Sequence, residues 1–441
     1  MSLTLGLTLV IAGILLIIAL TSWLKINSFL SLFLVSLLLA IVVLPFADIV
    51  PALKKGFGDT MGSIGLIIIF GAVIGVTLDK TGATLSIAEF ILRLTGKNNA
   101  SRAIAITGFI TGLPIFCDSG FIVLSGINNS LTAKSNTNKV FMATALACAL
   151  YSVHCLIPPH PGATAAAGII GANIGNLVLV GMLVALPAAA AGYLWARWMT
   201  RKSKPAESVS GNENVNDIRT LPSPGKSILP VLIPLVLITG RSLSDIIFGS
   251  NAPAIAKFIT FLGDPVIALF IGMVLAFMLL TDFSRKIAND MLSAAIEKAG
   301  PIIIITAAGG IFGAIIKATG TGEQAGAFLS QTRLGLLIPF LLAFILKTAQ
   351  GSSTVAIITT ASIIGPMLQS LGFEAESGKL LVMLAMGAGS MMVSHANDSY
   401  FWVITNFSGI QANDTLKVYS TSTIIMGVTS FLVVLILSVI I

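Results

Sequence analysis

The chain has 441 residues, of which 56% are hydrophobic and 10% are charged, and its mean hydropathy is +0.99. A soluble globular protein carries ~25% charged residues, so this composition excludes a separate soluble domain and predicts an all-α polytopic membrane protein. The formal net charge is +7, but the pattern of basic residues gives no indication of nucleic-acid binding; contact with membrane lipid is expected.

Hydropathy predicts ten membrane crossings, each of about 20 apolar residues, and two re-entrant hairpins. The crossings lie near residues 3–22, 26–46, 60–78, 140–174, 177–197, 228–247, 265–281, 300–316, 380–409 and 417–440, and those near 140–174 and 380–409 are broken. Most lysines and arginines fall on one side of these crossings, and cytoplasmic loops collect positive charge. The distribution therefore predicts that both termini face the periplasm.

The first hairpin is predicted near residues 102–132, a stretch with several Gly and Pro residues and one acid, Asp118, in its membrane-embedded part. The stretch is long for one crossing and short for two, so two half-depth arms are expected to meet near 114–120; two kinked helices are the alternative. A buried ionised carboxylate is costly, which makes Asp118 the first candidate for proton coupling, although it could merely cap an arm. Ser119 and the backbone of Gly120 are predicted substrate contacts.

The first broken crossing lies in a charge-free run, Val140–Ala196, which the segment His154–Thr164 interrupts with three prolines. Proline breaks a helix, and broken backbone at membrane depth requires surrounding protein or a water-filled cavity. His154 and His160 flank the break, and histidine titrates near neutrality, so both are predicted to bind substrate or share a proton; a structural role is the alternative. Thr164 is expected to cap the restarting helix or to touch a ligand hydroxyl.

A polar stretch, residues 200–226, is predicted to be a cytoplasmic linker between two halves, 1–199 and 227–441. Each half shows a crossing that ends in Thr-Gly, an amphipathic stretch, a hairpin and a broken helix with a histidine. Five crossings per half is an odd number, so the second half is expected to be inverted, a recurring plan of transporters. The second hairpin is predicted near 334–371 and the second broken helix near 380–409.

The second half supplies a matching set of candidate residues. The predicted substrate contacts are Ser352, Ser353 and Thr354 at the hairpin tip, and His395 and Asn397 in the break. A serine of this tip is also expected to cap the second arm, whose free N–H groups would attract an anion. Asp398 rivals Asp118 as the proton carrier. Lys347 is expected to reach water at the membrane edge, as long basic side chains commonly do, although contact with a substrate carboxylate is the alternative.

The segment His154–Gly162, with Phe116–Phe121 and Lys134–Asn138, resembles the gluconate permease (GntP) family, and the resemblance covers essentially the whole chain. Pro-Pro-His-Pro at 158–161 is its specific motif. The resemblance implies inverted repeats with paired hairpins, and proton-coupled uptake of gluconate, glycerate or similar acids across a bacterial inner membrane; some relatives take D-serine. Relatives often carry glutamate where this chain has Asp118, a departure that is expected to reshape the pocket.

The sequence thus predicts a secondary active transporter that imports a small anionic hydroxy acid or sugar acid with protons. The hairpins and broken helices are expected to move as one unit, elevator-like, past a scaffold that includes 26–46 and 265–281, which is also the expected homodimer surface. The alternatives are a D-serine or sodium-coupled transporter, a channel, and a membrane-embedded hydrolase that uses Ser353. No G-x-S-x-G or H-E-x-x-H pattern supports a hydrolase. No cofactor is expected, nor a metal site, because no cluster has ligand spacing.

Overall fold

The computed structural model describes residues 3–95, 99–135, 137–202, 221–248, 253–280, 284–318 and 334–441. Within these ranges the backbone is helical apart from short connections and contains no strand, which confirms the predicted all-α class. Most of the predicted linker 200–226, and the amphipathic stretch predicted at 323–330, lie outside the described residues.

The described part of the first half begins with two short apolar helices and continues with the predicted hairpin and broken helix. Its helices are α1 (Leu3–Ile18), α2 (Ser28–Val43), α3 (Phe46–Lys80), α4 (Ala83–Thr95), α5 (Ala100–Gly112), α6 (Cys117–Ser135), α7 (Lys139–Leu156), α8 (Pro161–Ile170) and α9 (Ile174–Thr200). The hairpin arms α5 and α6 are separated at 113–116. Helix α7 ends before the proline pair, and α8 restarts with Pro161 at its first position, where the missing N–H costs nothing.

The described part of the second half also contains a long helix, a pair of helices joined by a short tip and an interrupted helix. Its helices are α10 (Pro224–Phe248), α11 (Ala254–Leu262), α12 (Pro265–Phe277), α13 (Arg285–Ala318), α14 (Leu337–Gln350), α15 (Ser353–Ile364), α16 (Glu376–Met391), α17 (Ser399–Ser408), α18 (Ala412–Thr415) and α19 (Thr421–Ile440). Helices α14 and α15 contact each other and are separated at Gly351 and Ser352, where the hairpin tip is predicted. Helices α16 and α17 are separated at 392–398, within the predicted broken helix.

The contacts between the two halves are reciprocal. Helix α3, with 35 residues, packs against its counterpart α13, with 34. Helix α8 of the first broken segment packs on the hairpin arm α15, and α17 of the second broken segment packs on the hairpin arm α6. The final helices α9 and α19 also contact each other. Each hairpin is therefore held against the broken helix of the other half.

The lengths of the described helices bear on the predicted number of crossings. Six of the described helical segments are long and apolar enough to cross a membrane, and the bent pair α11–α12 makes a seventh. These seven correspond to seven of the ten predicted crossings. Of the remaining three, α2, with 16 residues, is about 24 Å long, less than the ~30 Å hydrocarbon core. Helix α1 continues without a gap into a π-helical turn, Ala19–Trp23, and α16–α17 is interrupted where a broken crossing is predicted. The number ten therefore stays a prediction.

Buried apolar side chains of the described residues form two large clusters. The first is made mainly by the hairpins, the broken helices, α9 and α19. The second is made mainly by α3, α10, α12 and the first half of α13. A small third cluster joins α2 to α3 and α13. The hairpins and broken helices therefore make most of one core, and the outer helices make most of the other. Each core also includes residues of the other group: Leu32, Val35, Ala308, Phe312 and Ile316 in the first, and Ile115, Ala165 and Ile358 in the second.

Candidate functional site

A cavity of about 580 Å³ lies where the two hairpins and the two broken helices meet. Its lining consists of Phe116–Ser119, Tyr151, His154, Pro161, Lys298, Ile302, Ile305, Gln350–Val355, Ile358 and Asn397–Tyr400. Eight of the twelve residues predicted from the sequence lie in this lining. The predicted site residues of the two halves are therefore brought to one place.

Four of the described helices begin at this cavity. Helix α6 begins at Cys117, α8 at Pro161, α15 at Ser353 and α17 at Ser399, and each of these residues lines the cavity. The first N–H groups of a helix have no partner within it, and the helix dipole places positive partial charge there. Four such ends around one space create a field that attracts an anion.

The second hairpin tip places hydroxyl groups beside the first broken helix. The Ser352 hydroxyl accepts a hydrogen bond from a backbone N–H of α15 at 3.3 Å and so forms the predicted cap. Thr354 Oγ1 lies 3.4 Å from His154 Nε2. Gly162 permits this approach, because a Cβ atom there would lie 3.1 Å from the Thr354 Cα. The tip and the histidine therefore face the same space.

Asp118 and Ser119 lie in the first turn of α6. One carboxylate oxygen of Asp118, Oδ1, is buried and has no hydrogen-bond partner among the described residues. The hydroxyl of Ser119 lies 3.1 Å from the ammonium of Lys298, which donates to it from α13. Lys298 was not predicted as a site residue, because it lies next to the end of a predicted crossing, where a lysine usually belongs to a loop.

Lys347 and Asp398 form a buried ion pair. Lys347 is 0% exposed, and its ammonium lies 2.6 Å from the Asp398 carboxylate and 2.6 Å from the Gly351 carbonyl oxygen. The prediction that Lys347 reaches water was therefore wrong, because a carboxylate 51 residues away neutralises its charge inside the protein. Asp398 also accepts from the Ser394 hydroxyl and caps α17 by accepting from the Tyr400 N–H at 3.0 Å.

Four predicted site residues do not line the cavity. His160 is buried with Nε2 at 2.7 Å from the Gly112 carbonyl oxygen. His395 Nε2 lies 3.3 Å from the carbonyl oxygen of Thr348. The remaining two are Gly120, packed against Leu150, and Thr164, whose buried hydroxyl has no hydrogen-bond partner among the described residues. The predicted contact of these four residues with substrate stays a prediction.

Two amide side chains of the cavity have unused polar atoms. Both polar atoms of the Gln350 side chain are buried without a hydrogen-bond partner among the described residues, and so is the Asn397 oxygen. The Asn397 nitrogen donates to the Thr348 carbonyl oxygen at 2.8 Å. Buried polar groups are usually paired, so these atoms are suited to ligand hydroxyls. Gln350 was absent from the predicted set, although its position beside the predicted hairpin tip signals it.

The sequence matches the model of the GntP family permeases over residues 5–440. Among curated proteins of Escherichia coli strain K12, the chain is 31% identical to the Gnt-II system L-idonate transporter, with 97% of this chain and 98% of that protein covered. It is 30% identical to a high-affinity gluconate transporter, covering 99% and 100%. It is also 30% identical to the inner membrane permease YgbN, covering 97% of each.

A solved structure of Neisseria gonorrhoeae MtrF, whose title places it in a class of antimetabolite efflux pumps, has a TM-score of 0.64 to this chain. The alignment covers 89% of this chain and 86% of that one at 15% sequence identity. This likeness concerns the fold alone.

Proposed function

The chain belongs to the GntP family of permeases, and from that premise we propose that it imports a small anionic hydroxy acid or sugar acid, such as gluconate or glycerate, by proton symport. The family and these relatives are transporters rather than enzymes, and they bind small anionic substrates in a membrane. The observation that carries the proposal is the cavity at which four described helices begin. We also propose that the protein lies in the bacterial inner membrane with both termini in the periplasm.

The coupling of proton and anion follows from Asp118. Its carboxyl group lies in the first turn of α6, at the cavity that would hold the substrate. An ionised carboxylate there repels a second anion and competes for the same positive helix ends. A protonated Asp118 removes that repulsion, so proton and anion bind together. Asp398 is less suited to carry the proton, because Lys347 already balances its charge.

A panel of radiolabelled acids tests the substrate class. Purified protein in proteoliposomes is expected to take up at least one of gluconate, glycerate and L-idonate, and an excess of the unlabelled acid should compete. D-serine belongs to the panel because it is the substrate of the alternative transporter. Uptake of D-serine with no hydroxy acid transported would replace the proposed substrate, and uptake of none of these would contradict the proposal.

Hydroxyl groups of the substrate are proposed to bind the unpaired amides. Replacing Gln350 by leucine removes both polar atoms, so KM for a polyhydroxylated acid is expected to rise by about 5–150-fold, equivalent to about 1–3 kcal/mol. KM for a shorter acid with fewer hydroxyls should rise less. The control Gln369→Leu changes an exposed amide outside this cavity. Equal KM values for Q350L and Q369L with both acids would show that Gln350 does not bind the substrate.

The proposed mechanism is elevator-like and uses two inverted repeats. The transport body comprises α5–α9 and α14–α19, and the scaffold body comprises α2, α3, α10, α12 and α13. The two hydrophobic cores, each made mainly by one of these groups, and the reciprocal contacts between halves support this division. The transport body would carry the cavity past the scaffold body. The scaffold body is also the proposed homodimer surface, and the apolar side chains on the exposed face of α12 are consistent with this.

A disulfide between the two bodies is expected to stop transport. A Cβ atom at Gly313 of α13 would lie 3.9 Å from the Ser362 Cα of α15, so G313C/S362C in a cysteine-free background should oxidise and lose uptake until reduced. The control G112C/L150C joins two helices within the transport body, with a corresponding separation of 3.4 Å. It should oxidise and keep its uptake. Full uptake by the oxidised G313C/S362C protein would exclude relative motion of these bodies.

A further inference from the structure

Helix α13 lines the cavity with one polar side chain, that of Lys298. Lys298 lines the cavity together with Ile302 and Ile305, which follow it at helical spacings of four and three residues on one face of α13. All other described lining residues belong to the hairpins and broken helices. The one cationic contact from the scaffold body therefore faces a cavity that the transport body otherwise builds.

The two lysines near the cavity differ in whether a carboxylate forms a direct ion pair with them. The Lys347 charge is balanced by Asp398 at 2.6 Å. Lys298 forms no direct ion pair within the described part of the chain, and it donates a hydrogen bond to the neutral Ser119 hydroxyl. The carboxylates of Asp118 and Asp79 are near enough to act on its charge, but neither forms a hydrogen bond with it. An ammonium has three donors, so two remain for a ligand. A carboxylate placed between Ser119 and Lys298 would meet both a hydroxyl and a cation that has no direct counter-ion.

We infer that Lys298 recognises the carboxylate of the transported acid, and that it does so in only one of the two access states. The inference rests on the proposed function and on the proposed motion of the transport body. When that body moves, Ser119 and the four helix N-termini travel with the substrate, whereas Lys298 stays with α13. The affinity for the acid is then higher on the face where Lys298 contacts it, and binding favours that state.

The cytoplasmic face is the one on which Lys298 acts. Lys298 is exposed, and it lies on the same half of α13 as Arg285 and Lys286, which the distribution of basic residues assigns to the cytoplasm. Its exposure also means that a polar substitution leaves the fold intact, unlike a change at buried Lys347.

The test compares KM on the two faces in right-side-out and inside-out vesicles that carry Lys298→Gln. KM for the acid is expected to rise by about 10–100-fold on the cytoplasmic face, the loss expected for a hydrogen bond to a charged group, and to change less than about twofold on the periplasmic face. Lys298→Arg should retain most of the affinity. Lys286→Gln, an exposed lysine earlier in the same helix, is the matched control and should resemble the wild type.

A second readout separates recognition of charge from a structural effect. On the cytoplasmic face, the uncharged amide of the same acid should compete much more weakly than the acid with the wild type. The difference should narrow in Lys298→Gln, which keeps only the discrimination supplied by the four helix N-termini. Equal KM changes on both faces, or an unchanged preference for acid over amide, would overturn the inference. Absence of hydroxy-acid transport by the wild type would instead overturn the proposed function, so the two failures are distinguishable.

Discussion

Replacement of Lys347 by methionine is expected to destabilise the protein by about 3–5 kcal/mol, the largest single effect anticipated in this chain. The change leaves the Asp398 carboxylate buried at the hairpin tip without its counter-ion. It also removes the donor to the Gly351 carbonyl oxygen. The yield of monodisperse protein and the apparent unfolding temperature in detergent should both fall.

The double variant K347M/D398N is the matched control for this effect. Removal of both charges eliminates the uncompensated ion, and asparagine preserves the cap of α17 because it can still accept from the backbone N–H. The double variant should therefore be more stable than either single variant. Equal or additive losses in all three would show that the ion pair does not hold the tip against the second break.

Replacement of Asp118 by asparagine is expected to abolish concentrative uptake while substrate exchange continues. The amide fills the same space and resembles the protonated acid, but it cannot release a proton. Counterflow, which requires no net proton movement, should stay near the wild-type rate, and uptake driven by a pH gradient should fall to simple equilibration. If Asp118 only capped an arm, asparagine would replace it and both activities would persist.

Asp398→Asn provides the comparison between the two candidate carriers. Because this change leaves buried Lys347 unpaired, a loss of folded protein is expected rather than a selective loss of coupling. Retained counterflow with lost pH-driven uptake in D398N, and normal coupling in D118N, would assign the proton to the second half.

Local signals were sufficient to predict the backbone around the site. Pro158 and Pro159 end α7, and the Gly351–Ser352 pair marks the second hairpin tip, because each residue type restricts the backbone where it stands. The cap by Ser352 followed in the same way. The exact ends of the helices could not be predicted in this way, because they depend on packing as well as on apolar composition.

Charge pairing at the site could not be read from the sequence. Lys347 and Asp398 are 51 residues apart, and Lys298 and Ser119 are 179 residues apart. Whether a lysine near a membrane end reaches water or meets a carboxylate depends on which helix packs beside it. Reasoning along one helix therefore assigned Lys347 to the membrane edge and gave Lys298 no role.

Accumulation of labelled acid by wild-type proteoliposomes under an imposed pH gradient tests the account most directly. One proton bound to Asp118 enters with one anion, so the transport step is electroneutral. A medium one pH unit more acidic than the vesicle interior should therefore support about tenfold accumulation of the acid. Collapse of the membrane potential should leave this unchanged, and sodium should not be required. Accumulation that depends strictly on sodium, or that ignores the pH gradient, would contradict proton symport at this cavity.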